Sequence, residues 1–334
     1  MPLVLVTGAN GHVGNQLVAH LVEYGYHVRA MVRRADDAKR NLEILRHPSV
    51  AVVAGDIRDE AAVSSAVADC EGVFQVAAVY AMHAADPQRD IIDPAVNGAL
   101  NVMRASKAAG VRRVVLTSSL VAMGNVSTPE RPLDESNWND AATEPYAKAK
   151  TLAERRSREY ADASGLDLVC VNPTLIIGPG FPHHTPSTQL FENAVRGLLP
   201  ILPPLAFTFV DVRDVASAHR LAFEKPEASG RYLCGDVTVT MREVFKAMHR
   251  ADPTIHVPRL NLPRVFLPFL PPMDWLQTKL LGTTRLMTSE SVREYAAGAA
   301  YISNARIRRD LNWTPRPFEE SVRDTLVWIR ASKR

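Results

Sequence analysis

Two hydrophobic periods alternate along the first half of the chain. Residues 3–7 form an apolar run of strand length, and residues 15–24 then repeat apolar side chains at Leu17, Val18, Leu21 and Val22, one stripe of a helix. The exchange continues with strands expected over 27–32, 50–54, 72–77, 114–118 and 166–171, and helices over 38–45, 60–67, 94–109 and 146–161. Strands this uniformly apolar cannot keep a face in water, so they belong in a parallel sheet covered by helices on both sides. The expected fold is α/β, a Rossmann-type doubly wound parallel sheet.

Beyond Pro173 the pattern breaks. Prolines at 179, 182, 186, 200, 203 and 204, and again between 253 and 272, interrupt both periods and predict a smaller, mainly C-terminal α/β substrate region. An apolar run over 207–212 and a helical stripe to Phe223 predict a return to the first domain. The expected division is therefore discontinuous: residues 1–173 plus about 208–235, which carry the glycine-spaced turn 7–14 of a dinucleotide site, form one unit, and about 174–207 plus 236–334 form a substrate-binding one. A length of 334 residues suits two such units. The stretch 258–281 is apolar, yet prolines break it and it falls short of the ~20 continuous apolar residues of a bilayer span. Packing over the substrate cleft is its expected role, with a dimer face or a monotopic membrane contact as alternatives.

Composition narrows the classes of function. Hydrophobic residues make up 46% and charged residues 22%, the balance of a globular protein without a membrane span. A formal charge of +3, with basic and acidic residues interspersed, lacks the basic stripe that nucleic acid requires. Cys70, Cys170 and Cys234 are odd in number and widely spaced, so neither a disulfide framework nor a metal site is expected, and a cytoplasmic location fits. No secretory leader is expected, since the first apolar run is short and lacks a basic flank.

Candidate chemistry lies in two places. The turn Thr7-Gly8-Ala9-Asn10-Gly11-His12-Val13-Gly14 falls between a strand and a helix. There the first glycine permits a tight turn, the second a close approach by pyrophosphate, and the third helix–strand packing. Where the second strand ends, an acidic residue would hold the ribose hydroxyls of NAD, but this chain has Arg33-Arg34. A guanidinium there suits a 2′-phosphate, so NADP(H) is favoured over NAD(H), while Asp36 and Asp37 keep NAD open and Arg34 alone reads as a solvated charge. The second place is Tyr146 and Lys150, four residues apart on one helix face, where the ammonium can favour the ionised phenol and make the tyrosine an acid/base. Together the two features imply proton transfer beside a hydride carrier.

With these residues the chain resembles the extended short-chain dehydrogenase/reductase (NAD-dependent epimerase/dehydratase) superfamily over nearly its whole length. The likeness is carried, in order, by Thr7 to Gly14, Gly55-Asp56-Ile57, Ala77-Ala78, Val96-Asn97-Gly98, Leu116-Thr117-Ser118-Ser119, Tyr146-Ala147-Lys148-Ala149-Lys150, Asn172-Pro173-Thr174 and Val212-Arg213-Asp214-Val215. Val32-Arg33 and Asp134-Glu135-Ser136-Asn137-Trp138 narrow it to the branch of dihydroflavonol reductases, cinnamoyl-CoA reductases and ketone-aldehyde reductases. The resemblance implies a catalytic triad of Ser119, Tyr146 and Lys150. It also implies cofactor contacts from Gly8, Asn10, Gly11, His12, Val13, Gly14, Arg33, Asp56, Ile57, Ala77, Ala78, Val79, Asn97, Thr117, Lys150, Pro173 and Thr174. By the same analogy the substrate pocket draws on Tyr80, Met82, Leu120, Met123, Ile177, Phe181 and Phe207.

Two departures from the family pattern stand out. Ala149 occupies a position where the family often has serine, and Phe207-Thr208-Phe209 stands where sugar-nucleotide epimerases often carry Arg-Asp-Phe. A largely apolar pocket favours an aromatic or aliphatic carbonyl over a sugar, whose buried hydroxyls would demand polar partners. The expected activity is reversible, NADP(H)-dependent reduction of a ketone or aldehyde to an alcohol. Alternatives are an NAD(P)-dependent sugar epimerase, a 3β-hydroxysteroid-type dehydrogenase and, outside catalysis, an NADP-sensing regulatory protein. The expected partner is a small carbonyl or alcohol, and the expected state a monomer or homodimer.

Overall fold

A computed structural model describes residues 2–77, 84–181, 185–281, 289, 292–293 and 298–332. The chain opens with five strands, β1 (Leu3–Thr7), β2 (His27–Val32), β3 (Val50–Ala54), β4 (Gly72–Gln75) and β5 (Arg113–Thr117), separated by α1 (His12–Glu23), α2 (Ala35–Asn41), α3 (Glu60–Val67) and α4 (Asp93–Ala108). Next come α5 (Pro145–Ser164), β6 (Leu168–Pro173), β7 (Leu175–Ile177), α6 (Pro186–Val195), β8 (Ile201–Leu202) and β9 (Ala206–Asp211). They are followed by α7 (Val212–Glu224), β10 (Gly230–Cys234), β11 (Thr238–Thr240), α8 (Met241–Ala251), β12 (Leu260–Asn261) and α9 (Leu270–Leu281), and two further helices, Ala305–Leu311 and Phe318–Ala331, end the chain.

Seven strands pair in parallel in the order β10-β6-β5-β4-β1-β2-β3, the doubly wound arrangement that the apolar runs predict. Neighbouring residues on these strands enter different cores. Val4 and Val6 pack beneath α1 and α7 with Phe74 and Val115, whereas Leu5, Val73 and Val114 pack on the opposite face with Val102 and Met103 of α4. Burial on both faces is the physical origin of the unbroken apolar runs. A second sheet, β11-β9-β7, covers a separate core containing Ile177, Phe191, Phe209 and Phe245.

Element ends depart from the apolar pattern where backbone chemistry intervenes. The helix expected over 38–45 is split into α2 and a 3-10 turn, Glu43–Arg46, by extended backbone at Leu42. Strand β6 runs through Pro173, which pairs with Cys234, because the following amide, Thr174 N, donates to Cys234 O at 3.0 Å. The sheet order reverses between β1 and β4, and a crevice opens beyond the carboxyl ends of those strands. Thr7 organises that opening: its hydroxyl accepts from both Val76 N and Ala77 N at 3.1 Å.

Gly72 opens β4 against the buried ring of Phe223, and a Cβ on it would lie 2.1 Å from the ring carbon Cε2. Gly72→Ala is therefore expected to destabilise the chain by about 1–3 kcal/mol, as overpacking does. Phe223→Leu in the same chain should recover part of that loss. Urea denaturation of the single and double variants reads both effects, and an unchanged midpoint for Gly72→Ala would refute this packing.

Candidate active site

A cavity of about 1090 Å³ fills the crevice and extends beneath the second sheet. Gly8, Asn10, Gly11, His12, Val13 and Gly14 form one wall, Arg33, Asp56 and Ile57 one end, and Ala77, Thr117, Ser119, Tyr146, Lys150, Pro173 and Thr174 the middle. Leu120, Phe181 and Phe207 line its outer part.

The glycine turn has the geometry its spacing predicts. Gly8 adopts φ +65° and accepts from Gly11 N at 2.9 Å, and a Cβ on Gly14 would lie 2.2 Å from Gly8 O. Gly11 begins α1 without a side-chain cap, so the helix amino end meets the cavity through backbone alone. The imidazole of His12 turns inward and stacks on Phe181 at 5.7 Å, and burial lowers its pKa to about 4. At the far end Arg33 reaches the cavity, while Arg34 turns to Asp37 at 3.2 Å. Arg58, absent from the sequence expectations, also lines this end and donates from Nη2 to Asp56 at 2.7 Å.

Tyr146 and Lys150 owe their placement to the start of α5. Pro145 takes the first helical position, and the Glu144 carboxylate caps the helix by accepting from Ala147 N at 2.7 Å. Tyr146 and Lys150 then occupy successive turns of one face, with Glu154 a turn further on. Lys150 Nζ donates to Thr117 O at 3.0 Å. Desolvation brings the lysine pKa down to about 8, against the pull of the Glu154 carboxylate, which favours the charged form.

Glu154 is fully buried and organises the wall behind these groups. It accepts from the Ser118 hydroxyl, from Arg231 Nε and from Asn172 Nδ2 at 2.7 Å, and the Asn172 amide also donates to Ser119 O at 3.1 Å. Ser118 is thus committed inward, whereas Ser119, half-buried, lines the cavity. Arg231 lies 3.8 Å above the Trp138 ring and donates to Asn137 O at 2.6 Å, which ties the segment 134–138 to the same carboxylate. Behind Thr117, His219 Nδ1 lies 2.7 Å from Val215 O and must donate there. Its Nε2 then accepts from the Thr117 hydroxyl at 2.7 Å, which assigns a neutral tautomer, and burial lowers its pKa to about 4.

Three expected site residues lie elsewhere. Asn97 is exposed on the outer face of α4 and does not line the cavity; one turn later Asn101 donates to Ile57 O at 3.1 Å. Met123 is buried with Leu120, Leu133 and Leu233, and Ile177 belongs to the core of the second sheet, so neither lines the cavity. Ala78, Val79, Tyr80 and Met82 fall outside the described residues. Ala149 packs against Ile91 and Ile92, where a serine hydroxyl would be buried among apolar groups. Glu154, Arg231 and His219 went unforeseen, although each left a signal. Glu154 continues the 146/150 stripe, and Arg231 and His219 interrupt a buried strand and a buried helix face.

Residues 4–235 match the model of the NAD dependent epimerase/dehydratase family. The chain is 34% identical over 276 residues to a bifunctional dihydroflavonol 4-reductase/flavanone 4-reductase of Malus domestica, an alignment covering 76% of this chain and 78% of that protein. It is 36% identical over 267 residues to cinnamoyl-CoA reductase 1 of Arabidopsis thaliana, with 76% of each covered. The solved structure of yeast methylglyoxal/isovaleraldehyde reductase Gre2, complexed with NADPH, shares the fold at a TM-score of 0.77 and 24% identity, with 99% of each chain covered.

Two outcomes follow from the buried groups. Arg231→Met leaves Glu154 charged and unpaired, which is expected to cost about 3–5 kcal/mol, while Glu154→Gln with Arg231→Met recovers most of it. Urea denaturation of the two chains tests this, and equal losses in both would contradict the coupling. His219 titrates near 4 in the folded chain and near the usual 6.5 when unfolded, so the unfolded state takes the proton first as pH falls. Its contribution is intact above pH 6.5 and drains away toward pH 4, by about 3 kcal/mol in order of magnitude. The slope of melting temperature against pH should flatten in His219→Gln, though only in part, since His12 shifts in the same direction.

Proposed function

The chain belongs to the NAD dependent epimerase/dehydratase family, in its extended short-chain dehydrogenase/reductase branch, and we propose that it is an NADP(H)-dependent carbonyl reductase. Its substrates on this reading are ketones or aldehydes of apolar or aromatic compounds, reduced reversibly to alcohols. The observation that carries the reading is a single cavity in which Ser119, Tyr146 and Lys150 share walls with the glycine turn and Arg33.

The residues present fit a dinucleotide. The uncapped amino end of α1 offers backbone donors to a diphosphate, and Gly11 leaves it room, since a Cβ there would meet only Gly8 O, at 3.3 Å. On this reading Asp56 and Ile57 hold the adenine, and Arg33 and Arg58 answer a 2′-phosphate. Ala77, Thr117, Lys150, Pro173 and Thr174 hold the nicotinamide ribose and ring. Bound there, the cofactor supplies or accepts the hydride.

The protein's own groups manage the proton. Ser119 hydrogen-bonds the substrate oxygen, because Ser118 is already engaged by Glu154. Tyr146 delivers the proton to that oxygen or removes it, and the Lys150 ammonium stabilises the phenolate left behind. Leu120, Phe181, Leu205 and Phe207 surround the remainder of the substrate with apolar surface. Thr208, a polar side chain on the same wall, spends its hydroxyl on Thr238 and Ala300 O, which favours an apolar substrate over a sugar.

Tyr146→Phe should lower kcat by about 10²–10⁴-fold, the usual worth of a general acid, and leave NADPH affinity within about twofold. The assay is NADPH oxidation with aromatic ketones, aldehydes, dihydroflavonols and hydroxycinnamoyl thioesters, and a variant that keeps most of its turnover would sink the assignment. Arg33→Asp should raise the KM for NADPH about tenfold or more while sparing that for NADH. Equal effects on both cofactors would remove Arg33 from the 2′-phosphate site.

A further inference from the structure

Of the thirteen large apolar side chains exposed among the described residues, eight fall between Leu260 and Leu280. The 3-10 turn Arg264–Phe269 runs directly into α9, and along this segment Val265 is 73% and Leu280 72% exposed, with Phe266, Phe269 and Trp275 about half exposed. Single exposed apolar residues are ordinary on a protein surface, whereas a concentrated run marks a contact. Phe266 and Phe269 sit 6.2 Å apart, and Lys279 Nζ lies 5.1 Å over the Trp275 ring.

The exposed charged side chains of this segment are all basic. Arg259, Arg264 and Lys279 are exposed along it, and Asp274, its sole carboxylate between Thr254 and Leu281, is half-buried toward the cavity. Apolar and aromatic side chains interleaved with cations fit the interface of an anionic bilayer, where rings sit at headgroup level and cations meet lipid phosphate. A symmetric contact between two copies would instead bring the same cations together. No described helix is long and apolar enough to cross a membrane, and α9 has 12 residues, so the face suits lying on a bilayer and not spanning it.

The face is continuous with the cavity. Leu270 and Met273 line the cavity, and Met273 is also 61% exposed, so the apolar wall inside passes into the apolar surface outside at that residue. We propose that the segment 259–280 docks on an anionic lipid surface and turns the cavity mouth toward the bilayer, from which an apolar carbonyl compound enters. The route of entry rests on the reductase reading; the docking itself does not.

The test floats the full chain, with NADPH present, on vesicles of phosphatidylcholine and on vesicles of phosphatidylcholine with phosphatidylglycerol. The protein is expected on the anionic vesicles and to be released as salt rises through the screening range. Phe269→Glu with Trp275→Glu should cut the bound fraction about tenfold, the effect of losing interfacial apolar surface. Arg264→Glu with Lys279→Glu should cut it on anionic vesicles alone. None of these four side chains lines the cavity, so turnover of a water-soluble ketone should persist in every variant and confirm that each has folded. Absence of binding to either vesicle overturns the proposal, as does equal binding to both. A homodimer in light scattering that Phe269→Glu with Trp275→Glu dissociates overturns it as well, assigning the face to self-association. Vesicle binding without turnover of any carbonyl would overturn the reductase reading and leave the docking in place.

Discussion

The central wall of the cavity depends on one buried carboxylate. The Glu154 side chain has no exposed surface and would be costly to bury alone, yet it meets Arg231, Ser118 and Asn172 within one shell. Such a cluster contributes little to stability beyond what apolar residues of the same volume would give. What it does provide is position. Through Asn172 it fixes the peptide of Ser119, through Ser118 it decides which of two adjacent hydroxyls turns outward, and through its charge it opposes the desolvation of Lys150. A hydrophobic substitute could fill the space but could do none of these three things.

The electrostatics of the cavity differ between its ends. Arg33 and Arg58 stand in the open, where salt screens them and where Arg58 is already half answered by Asp56. Lys150 stands half-buried in the cavity wall, so its charge is screened less and is held at a cost that shows in its lowered pKa. On the proposed reading, the open end suits a phosphate that arrives from solvent. A more enclosed end suits a proton transfer in which each charge should act on a neighbouring atom and not on water. The buried His219 belongs to the enclosed end, where a neutral imidazole receives the Thr117 hydroxyl without adding a second cation beside Lys150.

The parallel sheet covered on both faces and the glycine turn were legible because both follow from backbone constraints that leave direct marks in sequence. Val4-Leu5-Val6 is apolar at each position since two cores claim alternate residues, and Gly14 is glycine since Gly8 O occupies the space of a Cβ. The pocket was less legible, and its errors have a geometric pattern. Ile176 lines the cavity while Ile177, expected there, enters the core behind it, a slip of one residue on a strand whose side chains alternate. On α4 Asn97, expected to touch the cofactor, lies exposed away from the cavity, while Asn101 one turn on is turned inward and donates to Ile57 O. Family likeness locates a segment, whereas facing within the segment depends on where the element starts. Glu154 and Arg231 were missed for another reason: a charge in a sequence reads as surface, and only its partner, 77 residues away, makes it interior.

The second region completes an asymmetry that begins in the sheet. The end of the cavity near Arg33 is polar and open to water, and the end near Phe207 is richer in apolar side chains, among them Leu205, Leu262 and Leu270, and runs out through Met273 onto an apolar face. A charged dinucleotide and an apolar carbonyl compound differ in the phase they dissolve in, and a site serving both must be reachable from each. On the reading developed above, the doubly wound sheet fixes the aqueous approach at its switch point. The segment 259–280 fixes the other approach, because its 3-10 turn and the helix α9 leave Val265, Phe269, Trp275 and Leu280 without a covering element and carry the apolar wall outward at Met273.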